Sequence, residues 1–108
     1  MKIIDYDAEC DAITLDLGSN KIHRTLELTE HILVDITNNG TVVGFEILSA
    51  SEQISKIFNR TVSKAEIKQL LCEIKKETDN EYLIQFNSPE KNEVANLLFP
   101  VYRSPLIS

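Results

Sequence analysis

Ile32-Leu33-Val34-Asp35-Ile36-Thr37-Asn38-Asn39-Gly40-Thr41-Val42-Val43-Gly44-Phe45-Glu46-Ile47 is the stretch that decides the fold. Asn39-Gly40 is the strongest short-range signal for a tight primed turn, because both central positions need positive φ and these residues tolerate it best. Pairing outward sets Thr37 opposite Val42, Ile36 opposite Val43, Asp35 opposite Gly44, Val34 opposite Phe45, Leu33 opposite Glu46 and Ile32 opposite Ile47. One face then carries Ile32, Val34, Ile36, Val43, Phe45 and Ile47, all apolar. The other carries Leu33, Asp35, Thr37, Val42, Gly44 and Glu46, a mixed set.

Upstream, Lys2 to Tyr6 and Ala12 to Leu17 read as strands around the acidic turn Asp7-Ala8-Glu9-Cys10-Asp11, with Ile13, Leu15 and Leu17 alternating against Thr14 and Asp16. Arg24 to Leu28 is a further short strand. Downstream the period changes from 2 to 3.6. Ser49 with Glu52 reads as a capping box opening a helix over Ser49-Asn59, in which Ala50, Ile54, Ile57 and Phe58 recur at helical spacing. Ser63 with Glu66 opens a second helix to Lys76, with Ile67, Leu70, Leu71 and Ile74 in one stripe. Tyr82 to Phe86 is strand-like, Val94 to Phe99 fits strand or helix, and Val101-Tyr102-Arg103-Ser104 between two prolines is expected to be extended.

The expected architecture is α+β over residues 1–108 as one domain. It comprises an antiparallel β-meander of four to five strands over residues 1–48, then two central amphipathic helices and a C-terminal strand-like segment over residues 49–108. At 108 residues with 43% hydrophobic and 26% charged content, such a chain buries a core without disulfides or metals. Met1-Lys2-Ile3-Ile4-Asp5 turns acidic before an apolar run forms, so neither a signal peptide nor a membrane span is expected, and the expected location is cytoplasmic. Cys10 and Cys72, far apart, are expected as free thiols.

Charge is unevenly distributed. The formal net charge is -6, and residues 1–54 carry ten acidic against three basic residues, a net -7. That sign argues against nucleic acid and anionic membranes, and an acidic half joined to a neutral, locally basic half points either to a cationic partner or to packing of one half against the other.

Tyr6-Asp7, Asp11-Ala12-Ile13 with Leu15 and Leu17, Ile32 to Ile36 with Asn38-Asn39-Gly40, and Val42-Val43-Gly44-Phe45-Glu46-Ile47-Leu48 followed by Ala50-Ser51 resemble a small bacterial family, domain of unknown function 2283. The resemblance covers Met1 to about Gln53 and departs at Thr14, where a bulkier strand residue is expected. It implies a small cytoplasmic domain and an antitoxin-type partner role, and brings no cofactor or catalytic residues.

No constellation completes a reaction centre, so no enzyme activity, cofactor or metal is expected. Asp7-x-Glu9-x-Asp11 has the alternate carboxylates of a calcium loop but lacks its glycine, and Gly18 stands where the last acidic ligand belongs. Asp35 and Glu46 lie diagonally on one hairpin face, close enough to share a proton, with no nucleophile nearby. His23, His31, Cys10 and Cys72 lack the close pairs of zinc sites. The expected partner-binding residues are Leu33, Asp35, Val42 and Glu46, two carboxylates beside two apolar side chains facing a basic protein. A homodimer is also expected, because two short helices cover only one sheet face. The alternative is DNA binding through the helices Ser49-Asn59 and Ser63-Lys76, whose Lys56, Arg60, Lys64 and Lys68 would line one edge.

Overall fold

Strands β5 (Ile32–Ile36) and β6 (Val42–Ile47) form the hairpin, and the four pairs Ile32–Ile47, Leu33–Glu46, Val34–Phe45 and Asp35–Gly44 follow the expected register. This computed structural model describes residues 2–18, 22–78 and 81–100. The turn differs from the primed one expected. Gly40 alone takes positive φ, 83°. Its N–H donates to the Thr37 carbonyl at 3.0 Å, and the Thr37 N–H donates to Thr41 at 2.9 Å. This is the longer loop closed by a left-handed glycine. The Thr37 hydroxyl secures it by donating to Asn39 and accepting the Thr41 N–H. Pairing is thereby displaced by one residue, so Ile36 meets Val42 rather than Val43, and a bulge at Val43 restores the Asp35–Gly44 pair.

Three upstream strands complete a five-stranded antiparallel sheet: β2 (Asp5–Asp7), β3 (Ala12–Asp16) and β4 (Arg24–Glu27), in the order β2-β3-β6-β5-β4. Alternation decides its faces. Ile13, Leu15, Ile32, Val34, Phe45 and Ile47 point inward and are buried. The expected first strand, Lys2 to Tyr6, is split at Ile4. Residues Lys2–Ile3 form β1 in a second sheet, and Asp5 begins β2 in the first.

The second half departs from expectation. The helix expected over Ser63-Lys76 is a single turn, α2 (Lys64–Ile67), followed by strand β7 (Leu71–Thr78). With β8 (Glu81–Ser88) and β9 (Glu93–Pro100) it builds a four-stranded antiparallel sheet, β1-β7-β8-β9. Cys72, Glu73, Ile74 and Lys75 also alternate with period 2, and pairing with β8 from Leu71–Asn87 to Lys76–Tyr82 satisfies a ladder that a lone lysine-rich helix would not. Among the described residues there are thus nine strands in two sheets, where a meander of four to five strands with a C-terminal strand-like segment was expected; the strand read at Tyr82 to Phe86 lies within β8. The molecule is mostly antiparallel sheet with two short helices, and α+β holds at that level. The extended segment expected at Val101-Tyr102-Arg103-Ser104 lies outside the described residues.

The two inner faces share one core. Phe45 and Tyr82 meet edge to face at 5.4 Å between ring centroids, and Phe45, Ile47, Ile84 and Phe86 are fully buried. The second sheet, not a pair of helices, therefore covers the apolar face of the first.

Helix α1 (Ala50–Phe58) lies at the crossing between the sheets and buries Ala50, Ile54 and Phe58. Its expected cap fails. Ser49 is left-handed, φ 50°, and makes no side-chain cap bond. The carboxylate of Asp11 takes that role, accepting the Ser51 N–H at 3.0 Å and the Ser51 hydroxyl at 2.7 Å, while the Asp11 carbonyl accepts the Ala50 N–H at 2.8 Å. The second box forms by half. Ser63 accepts the Glu66 N–H at 3.1 Å, but the Glu66 carboxylate turns to Arg60 and Ser88 instead.

Candidate functional site

With alternate residues committed to the core, the remainder of each strand of the first sheet is presented outward. The registers align Asp5, Thr14, Glu46, Leu33 and Glu27 in one row across all five strands, and Asp16, Gly44, Asp35 and Thr25 in the next. Asp7 lies beside Ala12 at the end of β2. Six carboxyl groups thus share one face, and among the described residues neither row holds a lysine or arginine. Asp5, Asp7, Asp16 and Glu27 are exposed, Leu33 and Glu46 are half-buried, and Asp35 is buried.

Asp35 and Glu46 are brought together as the sequence suggested, but not as two exposed anions. Asp35 accepts the Thr25 hydroxyl at 2.6 Å. Burial, then the Asp35 charge and a hydrogen bond to it, push the Glu46 carboxyl above its ordinary range. Glu46 therefore holds its proton more readily than a free glutamate does. Gly44 leaves room beside Asp35. A Cβ there would stand 3.1 Å from the Leu15 carbonyl oxygen and 3.3 Å from Asp35 Oδ2. A hollow of about 280 Å³ opens at this point, lined by Thr14, Asp16, Ile22, Asp35 and Gly44 among others.

Val42 is a correction. The bulge at Val43 sets Val42 level with inward-facing Ile36, and Val42 packs against the core instead of joining Leu33 and Glu46 outside. In its place stand the exposed carboxylates of Asp5, Asp16 and Glu27. The signal for Asp16 was the alternation in Ala12 to Leu17, which presents Thr14 and Asp16 outward, and Thr14 accordingly needs no bulk. A larger cleft, about 600 Å³, opens between β3 and β7, where Asp5, Asp16 and Glu73 stand with Ile4, Leu15 and Cys72. Reading Leu71 to Lys76 as helix hid it.

The other candidates have local duties. Asp7 accepts the N–H groups of Glu9 and Cys10 at 3.0 and 3.1 Å, closing its own turn. Asp11 caps α1. Burial raises the Asp11 carboxyl, but the hydroxyls of Tyr6 and Ser51, the Ser51 N–H and the Lys64 charge outweigh it, leaving it below the ordinary carboxylate range. Cys10 is exposed and its thiol is pushed up by Asp7, opposite to what a nucleophile needs. Cys72 is buried, and neither cysteine is in a disulfide. His23 and His31 extend the sheet through their main chains, bonding Ile36 and Leu48. A four-residue α2 leaves the DNA alternative without its second helix, and of its basic residues Arg60 is engaged by Glu66 and Glu93.

Residues 3–51 match the family described as Protein of unknown function (DUF2283), so the resemblance carried by the hairpin and its flanking strands holds. An uncharacterized protein of Methanocaldococcus jannaschii is 47% identical over 60 residues, covering 55% of this chain and 47% of the relative. The chain therefore spans about half the length of the curated relative it matches. No solved structure matches significantly. No helix among the described residues is long and apolar enough to cross a membrane.

Proposed function

We propose that this chain is a non-enzymatic interaction module whose acidic sheet face docks a basic protein. The observation that supports it most is the row Asp5, Thr14, Glu46, Leu33, Glu27, continued by Asp16 and Asp35 around the hollow at Gly44. A lysine or arginine side chain entering that hollow would meet the Asp16 and Asp35 carboxyls, and its charge would offset the repulsion between Asp35 and the adjoining Glu46. Leu33 supplies an apolar contact within the charged surround. An antitoxin-type role, with a basic toxin as the docked protein, is one form of this reading, and the cytoplasm is its setting.

The test uses an arginine-rich model peptide titrated into the intact chain. Binding should weaken as salt rises, and Glu27→Gln with Glu46→Gln should weaken it severalfold. Glu77→Gln with Glu90→Gln, the same loss of two formal charges outside this face, should leave it unchanged. If both pairs weaken it equally, net charge alone is at work and the docking face is refuted. Tighter binding to duplex DNA than to the peptide refutes it as well.

A further inference from the structure

Sheet edges are the places where backbone donors and acceptors remain available to another chain, and folded proteins blunt them with charge, proline or brevity. Most edges of this molecule are blunted. In the first sheet, β2 has three residues, two of them aspartates, and β4 has four, beginning with Arg24 and ending with Glu27. In the second sheet, β1 covers only Leu71 and Cys72 of β7, and the uncovered remainder carries Glu73, Lys75, Lys76 and Glu77. The opposite edge, β9, is blunted only at its two ends, by Glu93 and Pro100. It is eight residues long and runs Val94-Ala95-Asn96-Leu97-Leu98-Phe99 without a charge. Its single ionised residue, Glu93, is occupied by Arg60 Nε at 2.9 Å. Val94 and Leu98 are 54% and 56% exposed, although neighbouring Ala95 is buried.

We propose that β9 pairs with β9 of a second copy of this chain, joining two four-stranded sheets into one eight-stranded antiparallel sheet across a two-fold axis. Charge selects the occupant. Two copies with net charge -6 repel through their acidic faces, whereas β9 belongs to the other sheet and brings no like charges together. An antiparallel strand is also its own complement under two-fold symmetry. The register of greatest overlap centres on Asn96. It sets Val94 opposite Leu98 of the second copy, Leu98 opposite Val94, and the two Asn96 amides face to face. The most exposed apolar side chains of the edge are then covered by each other.

Light scattering over a concentration series should give twice the chain mass of 12.3 kDa for the wild type. Val94→Lys with Leu98→Lys sets like charges opposite each other and should give monomers with unchanged secondary structure. Val94→Lys with Leu98→Glu sets opposite charges across each pair and should keep the dimer, now weakened by salt. A wild type that stays monomeric at every concentration overturns the proposal. So does a dimeric double-lysine variant, or an opposite-charge variant that is monomeric. If the double-lysine chain does not fold, the opposite-charge variant decides alone, and a dimer indifferent to salt refutes the pairing.

Discussion

Asp11 and Ser51, forty residues apart, are joined by two hydrogen bonds that make a strand-turn aspartate the N-terminal cap of α1. Asp11 is itself left-handed, φ 53°, and Tyr6 donates to it at 2.6 Å from β2. Its carboxylate thus ties the first hairpin of the chain to the helix. Asp11→Ala should cost about 2 kcal/mol, since it removes a cap and leaves the left-handed turn without the side-chain hydrogen bonds that make aspartate tolerable there. Ser49→Ala, at the residue that sequence spacing marks as the cap, should cost less than about 0.5 kcal/mol. Denaturant midpoints of the two variants check this, and a larger loss at Ser49 would restore the local capping box.

Glu66 links α2 to the second sheet. It accepts two bonds from Arg60, at 2.9 and 2.5 Å, and the Ser88 hydroxyl at 2.7 Å. The Arg60 guanidinium, against the opposing effect of burial, and then Ser88 hold its carboxyl down to about 2 from an ordinary 4.5. A depressed carboxylate contributes stability that is complete above its unfolded pKa and is lost as pH falls through its folded one. Stability should therefore decline between pH 4.5 and about 2. Glu66→Gln should flatten that decline. Glu66→Ala, which leaves buried Ser88 without its partner and Arg60 with Glu93 as its remaining carboxylate, should cost about 3 kcal/mol near neutral pH. Urea unfolding across this pH range measures both effects.

The first sheet was legible because its strands alternate cleanly, and beyond the turn the hairpin pairs from Ile32–Ile47 to Asp35–Gly44 keep the register that alternation requires. The second was hidden by a coincidence of periods. Ile67, Leu70, Leu71 and Ile74 satisfy helical spacing, while Cys72 and Ile74 against Glu73 and Lys75 satisfy strand spacing equally well. What decides between them is the partner strand Glu81–Ser88, a contact that no local window contains. Asp79-Asn80, turn-prone residues between the two runs, was the available hint. The site suffered the same limit on a smaller scale. Leu33, Asp35 and Glu46 were placed together by register alone, but a one-residue bulge turned Val42 away, and side-chain pattern does not announce bulges.

Neighbouring positions of the hairpin provide a sharp test of its faces. Phe45 is fully buried and meets Tyr82 of the second sheet, whereas Leu33, paired next to it, faces outward. Phe45→Ala should cost about 3 to 5 kcal/mol through the lost ring and the cavity it leaves between the sheets. Leu33→Ala should cost less than about 1 kcal/mol. Equal losses in chemical denaturation would mean that the outer face is buried too.

Glu46 responds to pH in the opposite sense to Glu66. Burial first, then Asp35, raises its carboxyl above the ordinary 4.5. A carboxyl raised on folding contributes stability that is present below its unfolded pKa and lost as pH rises through its folded one. At neutral pH an ionised Glu46 beside Asp35 therefore works against the fold. Glu46→Gln keeps the shape, removes the charge and offers an amide donor to Asp35, so it should raise the unfolding midpoint at pH 7. That advantage should vanish below pH 4.5, where the wild-type carboxyl is protonated and donates the same bond. Paired unfolding curves at the two pH values read this directly. A lower midpoint at pH 7 would show that the ionised carboxylate is favoured by the fold, and the carboxyl pair would then lose its standing as a site awaiting a cation.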